Sequence, residues 1–281
     1  MRKLLAACLV ALASIGSAHA DEHPEWTRPY PPFHVVRPIS YVGTEGIAVY
    51  LIRTSAGLIL LDTGPAAAVP VVERNIAALG FKLRDVKILL ASHAHWDHVA
   101  GMAAIKRDTG ARLLASAGDR RALETGTPPS DTNYGVMRFA PVKVDAVLTD
   151  GRPVRLGEVA MTPVITPGHT PGCTSWTMRV VENGRPLSVV FPCSLSVAGN
   201  RLIGNKGYPG IVGDYRASFA RLRGLKADVV LPAHPEFGDV LERAKRRDRG
   251  DKAAFVAPGL LQRIVARAAA AFGVELRKQQ R

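Results

Sequence analysis

The stretch Ala91-Ser92-His93-Ala94-His95-Trp96-Asp97-His98 holds three imidazoles and one carboxylate in six residues. The apolar run before it, Val86-Lys87-Ile88-Leu89-Leu90, is short and reads as a buried strand. The segment after it, Val99 to Lys106, has helical spacing. The cluster is therefore expected on a strand-to-helix loop, a place where α/β folds carry chemistry. In extended backbone alternate side chains share a face, so His93 and His95 can reach one metal ion together. Asp97 and His98 follow as the chain turns into the helix and can reach a second ion. Only eight histidines occur in 281 residues. Three in six positions argue for a ligand set rather than an incidental polar loop, and imidazole with carboxylate suits zinc.

Working outward, strands are expected at Ile39 to Val42, Ile47 to Ile52 and Leu58 to Leu61, the last ending in Asp62-Thr63-Gly64. An amphipathic helix runs from Val69 to Leu79, and a strand at Arg112 to Ala115 leads into a short helix opening at Gly118-Asp119. The second half is β-rich from Val144 to Phe191, with Asn183-Gly184 as a strong hairpin signal. A helix from Tyr215, a strand from Ala227 to Leu231 and a helical tail follow. Both halves run strands then helices, so the chain reads as two βα halves sharing one core in a single domain over residues 21–281. The loop Gly126 to Gly135 is long enough to border a site, and Trp96 reads either as a pocket wall or as core.

The N-terminus reads as a targeting segment. Arg2-Lys3 precedes a short apolar run, and Ala18-His19-Ala20 has the small-x-small pattern of a signal-peptidase site. Cleavage after Ala20 is expected, giving an exported, periplasmic protein. Leu5-Ala6-Ala7-Cys8 also looks like a lipobox, but the apolar segment before it is too short to serve. No later stretch reaches the roughly 18 apolar residues that span a bilayer. The formal charge is +13. The basic residues are scattered, with runs only at Arg243 to Arg247 and Arg277 to Arg281, and solvated helix faces explain these better than a nucleic-acid surface.

Two open-sided zinc sites need about three protein ligands each, so two donors beyond the loop are required. His169, in Pro167-Gly168-His169-Thr170-Pro171-Gly172, and His234, in Pro232-Ala233-His234-Pro235, each follow a strand. Apart from the loop and these two, His23 and His34 are the remaining histidines beyond the cleavage point, and they lie in the irregular lead-in. Cys173 and Cys193 flank the hairpin. In its register they point to opposite faces, so free thiols are expected unless a bulge near Pro186 or Pro192 intervenes.

The order His93-Ala94-His95-Trp96-Asp97-His98, Gly168-His169, His234 resembles the metallo-β-lactamase superfamily. Tyr41 to Gly46, Leu60 to Gly64, Pro192 to Ser196 and Pro232 to Pro235 make the chain most similar to subclass B3. The resemblance implies a four-layer αβ/βα sandwich of class α/β (α+β) with a di-zinc site at the sheet edge. It implies one zinc on His93, His95 and His169 and the other on Asp97, His98 and His234. Asp62 would stand behind the ligands and steady them, or is simply a strand-end turn residue. Lactonase- and thioesterase-like members carry a bridging aspartate between the last two histidines. Here that region holds Cys193, Ser194 and Ser196, and Ser194 aligns with the serine of subclass B3. Shifted by one residue, Cys193 would be a ligand instead. Thr63 stands where that subclass more often has glycine. The implied activity is hydrolysis of penicillins, cephalosporins and carbapenems by a hydroxide that two zinc ions make available at neutral pH. Asp97 would orient that hydroxide, and Ser194 and Ser196 would hold the substrate carboxylate. The alternative is a lactone or thioester hydrolase of the same fold. The expected partner is a small-molecule β-lactam, with neither nucleic acid nor membrane, and the chain is expected to act as a monomer.

Overall fold

Alternation within the strands decides which side of each sheet meets which neighbour. In the computed structural model, which describes residues 23–128 and 137–281, two sheets form. The first runs in the order β1 (Phe33–His34), β2 (Ile39–Tyr41), β3 (Tyr50–Thr54), β4 (Gly57–Leu61), β5 (Val86–Leu90), β6 (Arg112–Ala115), β7 (Ala146–Val147). Its first four strands pair antiparallel and β4 to β7 pair parallel. The second sheet contains β8 (Val154–Leu156), β9 (Val159–Ile165), β10 (Thr174–Glu182), β11 (Arg185–Phe191) and β12 (Val229–Val230), in the order β12-β11-β10-β9-β8. Its pairs are antiparallel except β11 with β12.

On β4, Ile59 and Leu61 face the second sheet and pack with Trp176, Met178, Val189 and Phe191. Leu58 and Leu60 point the other way, toward Val72 and Ile76 of α1 (Val69–Ala78), Val99 of α2 (Trp96–Val99), Met102 and Ile105 of α3 (Met102–Thr109) and Leu123 of α4 (Ala117–Thr125). Val190 and Val230, on the outer face of the second sheet, meet Phe219 and Leu222 of α5 (Ile211–Arg223) and Leu261 and Val265 of α7 (Leu260–Gln279). A further helix, α6 (Val240–Asp248), sends Val240 and Ala244 into the layer between the sheets. The result is the expected helix–sheet–sheet–helix sandwich. Each fully buried Leu, Ile, Val or Phe in these layers contributes about 1.5–3 kcal/mol through apolar burial.

The sandwich places five chain segments at one edge. Asp62 follows β4, His93 follows β5, His169 follows β9, Ser194 follows β11 and His234 follows β12. These are the carboxyl ends of strands, the usual site of chemistry in open α/β sheets.

One expectation is corrected. Cys173 and Cys193 form a disulfide, with a Cα–Cα separation of 5.9 Å. The hairpin register itself is as expected, with Trp176 opposite Phe191 and Glu182 opposite Arg185. The ladder ends at Phe191, because Pro192 has no N–H to extend it. The chain then bends, Cys193 N donates to Ser175 Oγ at 3.0 Å, and the face on which Cys193 would lie in a continued strand no longer applies. The loop Gly126 to Gly135 falls largely within residues 129–136, outside the described residues.

Candidate metal centre

Strand β5 ends at Leu90 and the loop that follows is gripped from three sides. Asp62 Oδ1 accepts from Ser92 N at 2.7 Å and Asp62 Oδ2 from Ser92 Oγ at 2.6 Å. The second sheet holds it through Thr174 N to Ser92 O (2.8 Å) and Trp176 Nε1 to Ala91 O (3.1 Å). Asp119 Oδ2 accepts from Ala94 N at 2.8 Å. Asp62 has φ +62°, an uncommon left-handed conformation for a non-glycine residue. It aims the carboxylate across the loop, with Oδ2 3.4 Å from His98 Nδ1. Of its two sequence readings, these contacts support the one in which it steadies the loop. Thr63 fits the same corner: its N–H and Oγ1 both donate to His98 O.

The six candidate ligands converge. The ligand atoms of His93, His95 and His169 lie within 4.8 Å of one another, as do those of His93, Asp97 and His98. His234 joins the second group. Its Nε2 is 3.1 Å from His98 Nε2 and 3.5 Å from Asp97 Oδ2, while His98 Nε2 is 3.1 Å from Asp97 Oδ2. His93 Nε2 and His169 Nε2 likewise face each other at 3.1 Å. The five residues other than His234 are buried, and His234 is half-buried.

Backing partners fix which nitrogen points inward. His169 Nδ1 is 2.7 Å from Ser196 O, a carbonyl that accepts, so Nδ1 carries the proton and Nε2 presents its lone pair. His93 Nδ1 sits 3.0 Å from Ser92 Oγ. Burial, reinforced by the neighbouring imidazoles His98 and His169, holds the His93 pKa well below its ordinary value. Burial also lowers His169, and it lowers His95 to about 4 against the opposing pull of Asp97. At His98 burial works downward, but the Asp97 and Asp62 carboxylates outweigh it and raise the pKa to about 10. Asp97 is pushed up by burial yet held well below the carboxylate range by His98 and His234. Asp97 Oδ1 is buried without a hydrogen-bond partner among the described residues. Converging imidazole nitrogens, with His93, His95 and His169 held in the neutral form, beside a buried carboxylate oxygen without a partner among the described residues are the donor set a divalent cation needs, so the residues present fit metal ions.

Beyond the ligands, Ser194 is buried, Ser196 is exposed, and their hydroxyl oxygens are 3.4 Å apart. Both border a cavity of about 760 Å³ that His234 and Phe237 also line. Cys193 is committed to its disulfide and is thereby removed as a candidate ligand. Trp96 is buried in the core of the first half, 5.5 Å from the Trp26 ring, so its core reading holds. Two contributors escaped sequence reading. Trp26, in the supposedly irregular lead-in, lies on a short 3-10 turn (Pro24–Trp26) with its ring 5.7 Å from His234. Asp119 had registered only as a helix start. Three loop-gripping hydrogen bonds converge on its carboxylate, and no spacing pattern announces that.

A family model described as the metallo-beta-lactamase superfamily matches residues 42–234. The chain belongs to the metallo-beta-lactamase superfamily. Among solved structures it is similar to a subclass B3 metallo-beta-lactamase of Bradyrhizobium japonicum, at 44% identity and a TM-score of 0.88, covering 91% of this chain and 97% of that one. It is also similar to the native metallo-beta-lactamase of Legionella gormanii, at 36% identity and TM-score 0.87, covering 90% and 98%. Among curated relatives it is similar to a hydroxyacylglutathione hydrolase of Methylococcus capsulatus, 32% identical over 124 residues. That match spans 44% of this chain and 40% of the relative. The protein thus has the metallo-β-lactamase hydrolase fold, with a cluster of residues that fits metal ions. Among the described residues no helix is long and apolar enough to cross a membrane.

Proposed function

We propose that the protein is a di-zinc β-lactamase of the subclass B3 type, exported to the periplasm and cleaved after Ala20, and acting as a monomer on penicillins, cephalosporins and carbapenems. In this reading residues 21–281 form one domain. His93, His95 and His169 hold one ion, and Asp97, His98 and His234 hold the other. When bound, zinc supplies Lewis acidity and lowers the pKa of water to about 7. The chain's own residues do the rest. Asp97 uses the carboxylate oxygen that has no hydrogen-bond partner among the described residues to orient the attacking water. Ser194 and Ser196, at the cavity edge, hydrogen-bond the carboxylate that every classical β-lactam carries beside its ring nitrogen. Asp62 accepts from Ser92 and faces His98, so the loop does not reorganise as charge develops. Cations near the cavity, Arg267 and Lys278, add long-range attraction for an anionic substrate.

The observation that carries this reading is the loop after β11. Where thioesterase- and lactonase-like relatives place a bridging aspartate, residues 192–199 offer two serine hydroxyls and no carboxylate. Similarity over nearly the whole length of B3 enzymes supports it further. The hydroxyacylglutathione hydrolase likeness, which spans less than half of either chain, favours a second reading, a thioester hydrolase. Purified, zinc-loaded protein assayed against nitrocefin, a carbapenem, a lactone and a glutathione thioester separates them. Turnover of the first two alone is expected, and turnover confined to the thioester or the lactone overturns the proposal.

A further inference from the structure

Asp119 is a buried carboxylate with no part in the chemistry above. It lies in the first turn of α4 and is 1% exposed. Its Oδ2 accepts from Ala94 N at 2.8 Å and from Thr170 Oγ1 at 2.8 Å, and its Oδ1 accepts from Gly172 N at 2.9 Å. Ala94 stands between His93 and His95, and Thr170 adjoins His169. One side chain therefore ties together the two backbone segments that carry all three histidines of one proposed ion site, yet it is hydrogen-bonded to none of their rings. The helix start and the His169 loop are also in direct backbone contact. A Cβ on Gly172 would sit 2.1 Å from Ser116 Oγ and 2.3 Å from Asp119 N, and one on Gly118 would sit 2.4 Å from Pro171 O. Ser116 Oγ adds a bond to Gly172 O at 2.6 Å.

All three partners of Asp119 donate, so only the ionised carboxylate satisfies them fully. Burial raises the carboxyl pKa to about 6, against the three donors. An uncompensated buried charge is costly, and the donors supply the compensation here. The arrangement would be an expensive way merely to start a helix, which an exposed Asp or Ser does as well.

We propose that Asp119 is a positioning residue for the three-histidine ion site: it sets His169 against the His93–His95 pair. The inference rests on the ligand assignment proposed above. Asp62 and Asp119 then divide the work, Asp62 fixing the loop on the His98 side and Asp119 fixing it on the His169 side. Loss of such an outer partner typically costs about 10–100-fold in metal affinity, and here the cost falls on one ion only.

The test is zinc affinity by chelator competition in two backgrounds. In His234→Ala protein the three-histidine site is the complete one, and Asp119→Asn is expected to weaken zinc at least tenfold. In His169→Ala protein the Asp97–His98–His234 site is the complete one, and Asp119→Asn is expected to change zinc affinity less than twofold. Thr170→Val removes a single donor and keeps the charge. It guards against a misfolded Asp119→Asn and should weaken zinc in the first background alone, by a smaller factor. Equal weakening in both backgrounds, as from a general loss of fold, overturns the inference, and so does no weakening in either. Failure of His234→Ala protein with intact Asp119 to bind zinc overturns the ligand assignment itself, and the inference with it.

Discussion

The two halves of the molecule supply the centre in different ways. The first half delivers four donors in six consecutive residues, on one loop pinned by Asp62, Thr174, Trp176 and Asp119. The second half delivers single histidines on separate loops. His169 is oriented by Ser196 O, and its loop meets Asp119. The His234 loop is held by Ala48 N to Ala233 O (2.9 Å) and Tyr50 Oη to Pro232 O (2.9 Å), with Trp26 against the ring. The compact loop places its ligands by local backbone geometry. The lone histidines depend on contacts far along the chain, so the second half is where the centre should be easiest to dismantle one ion at a time.

The largest effect is expected from removing a lone ligand. His169→Ala should take zinc content from two ions to one and reduce β-lactam turnover by more than the roughly 100-fold ceiling for outer partners, read by metal analysis alongside kcat/KM. His234→Ala should do the same for the other ion. If either variant lost both ions, the two sites would be one cooperative unit and the contrast between halves would fail.

Next comes the disulfide, which ties the end of the His169 loop to the start of the Ser194 loop. Its loop of about 20 residues corresponds to about 3 kcal/mol in the chain-entropy account. A Cys173→Ser, Cys193→Ser double variant should lose about that much in a denaturant titration while keeping both zinc ions. Loss of zinc without loss of stability would show that the bridge acts on the centre rather than on the fold.

Asp62→Asn tests the compact loop. It should weaken zinc by about 10–100-fold, with the greater loss at the ion held by Asp97, His98 and His234. An unchanged affinity would leave Asp62 as a strand-end turn residue.

The smallest effect lies away from the centre, at the edge of the same half. The Asp145 carboxylate meets Lys106 Nζ and accepts from Leu113 N at 2.8 Å. Partial burial pushes its pKa up, but these partners outweigh burial and hold it below the ordinary carboxylate range. A depressed pKa stabilises the fold above the unfolded value of about 3.9, and that contribution fades as pH falls through the lower folded value. Asp145→Asn should therefore cost up to about 1 kcal/mol at pH 7. The gap in thermal midpoint between variant and parent should close below about pH 4, with zinc affinity unchanged throughout.

How much of this the residues announced follows the same division. The four-donor loop was legible because its chemistry is consecutive; the short buried strands β4 and β5 gave βα halves around one core, and the four-layer sandwich followed from the family likeness. His169 and His234 were legible only through the need for further ligands and through the family likeness. For Asp62 the family likeness offered a steadying role beside the plain strand-end turn, and the sequence could not choose between them, since the choice depends on a left-handed φ that turns the carboxylate onto Ser92. The disulfide was misread because extending the hairpin one step past Pro192 assigned Cys193 the wrong face. Asp119 and Trp26 were silent, because what they do is set by which distant segments fold against them.

The central claim is that two zinc ions, held by ligands from both halves, run β-lactam hydrolysis. The most direct measurement is carbapenem hydrolysis by purified protein before chelation, after chelation and during stepwise zinc add-back, with bound zinc counted at each step. The account predicts loss of hydrolysis on chelation, recovery as zinc returns, and full recovery at two ions per chain. Protein that carries both ions and leaves the carbapenem ring intact would contradict it.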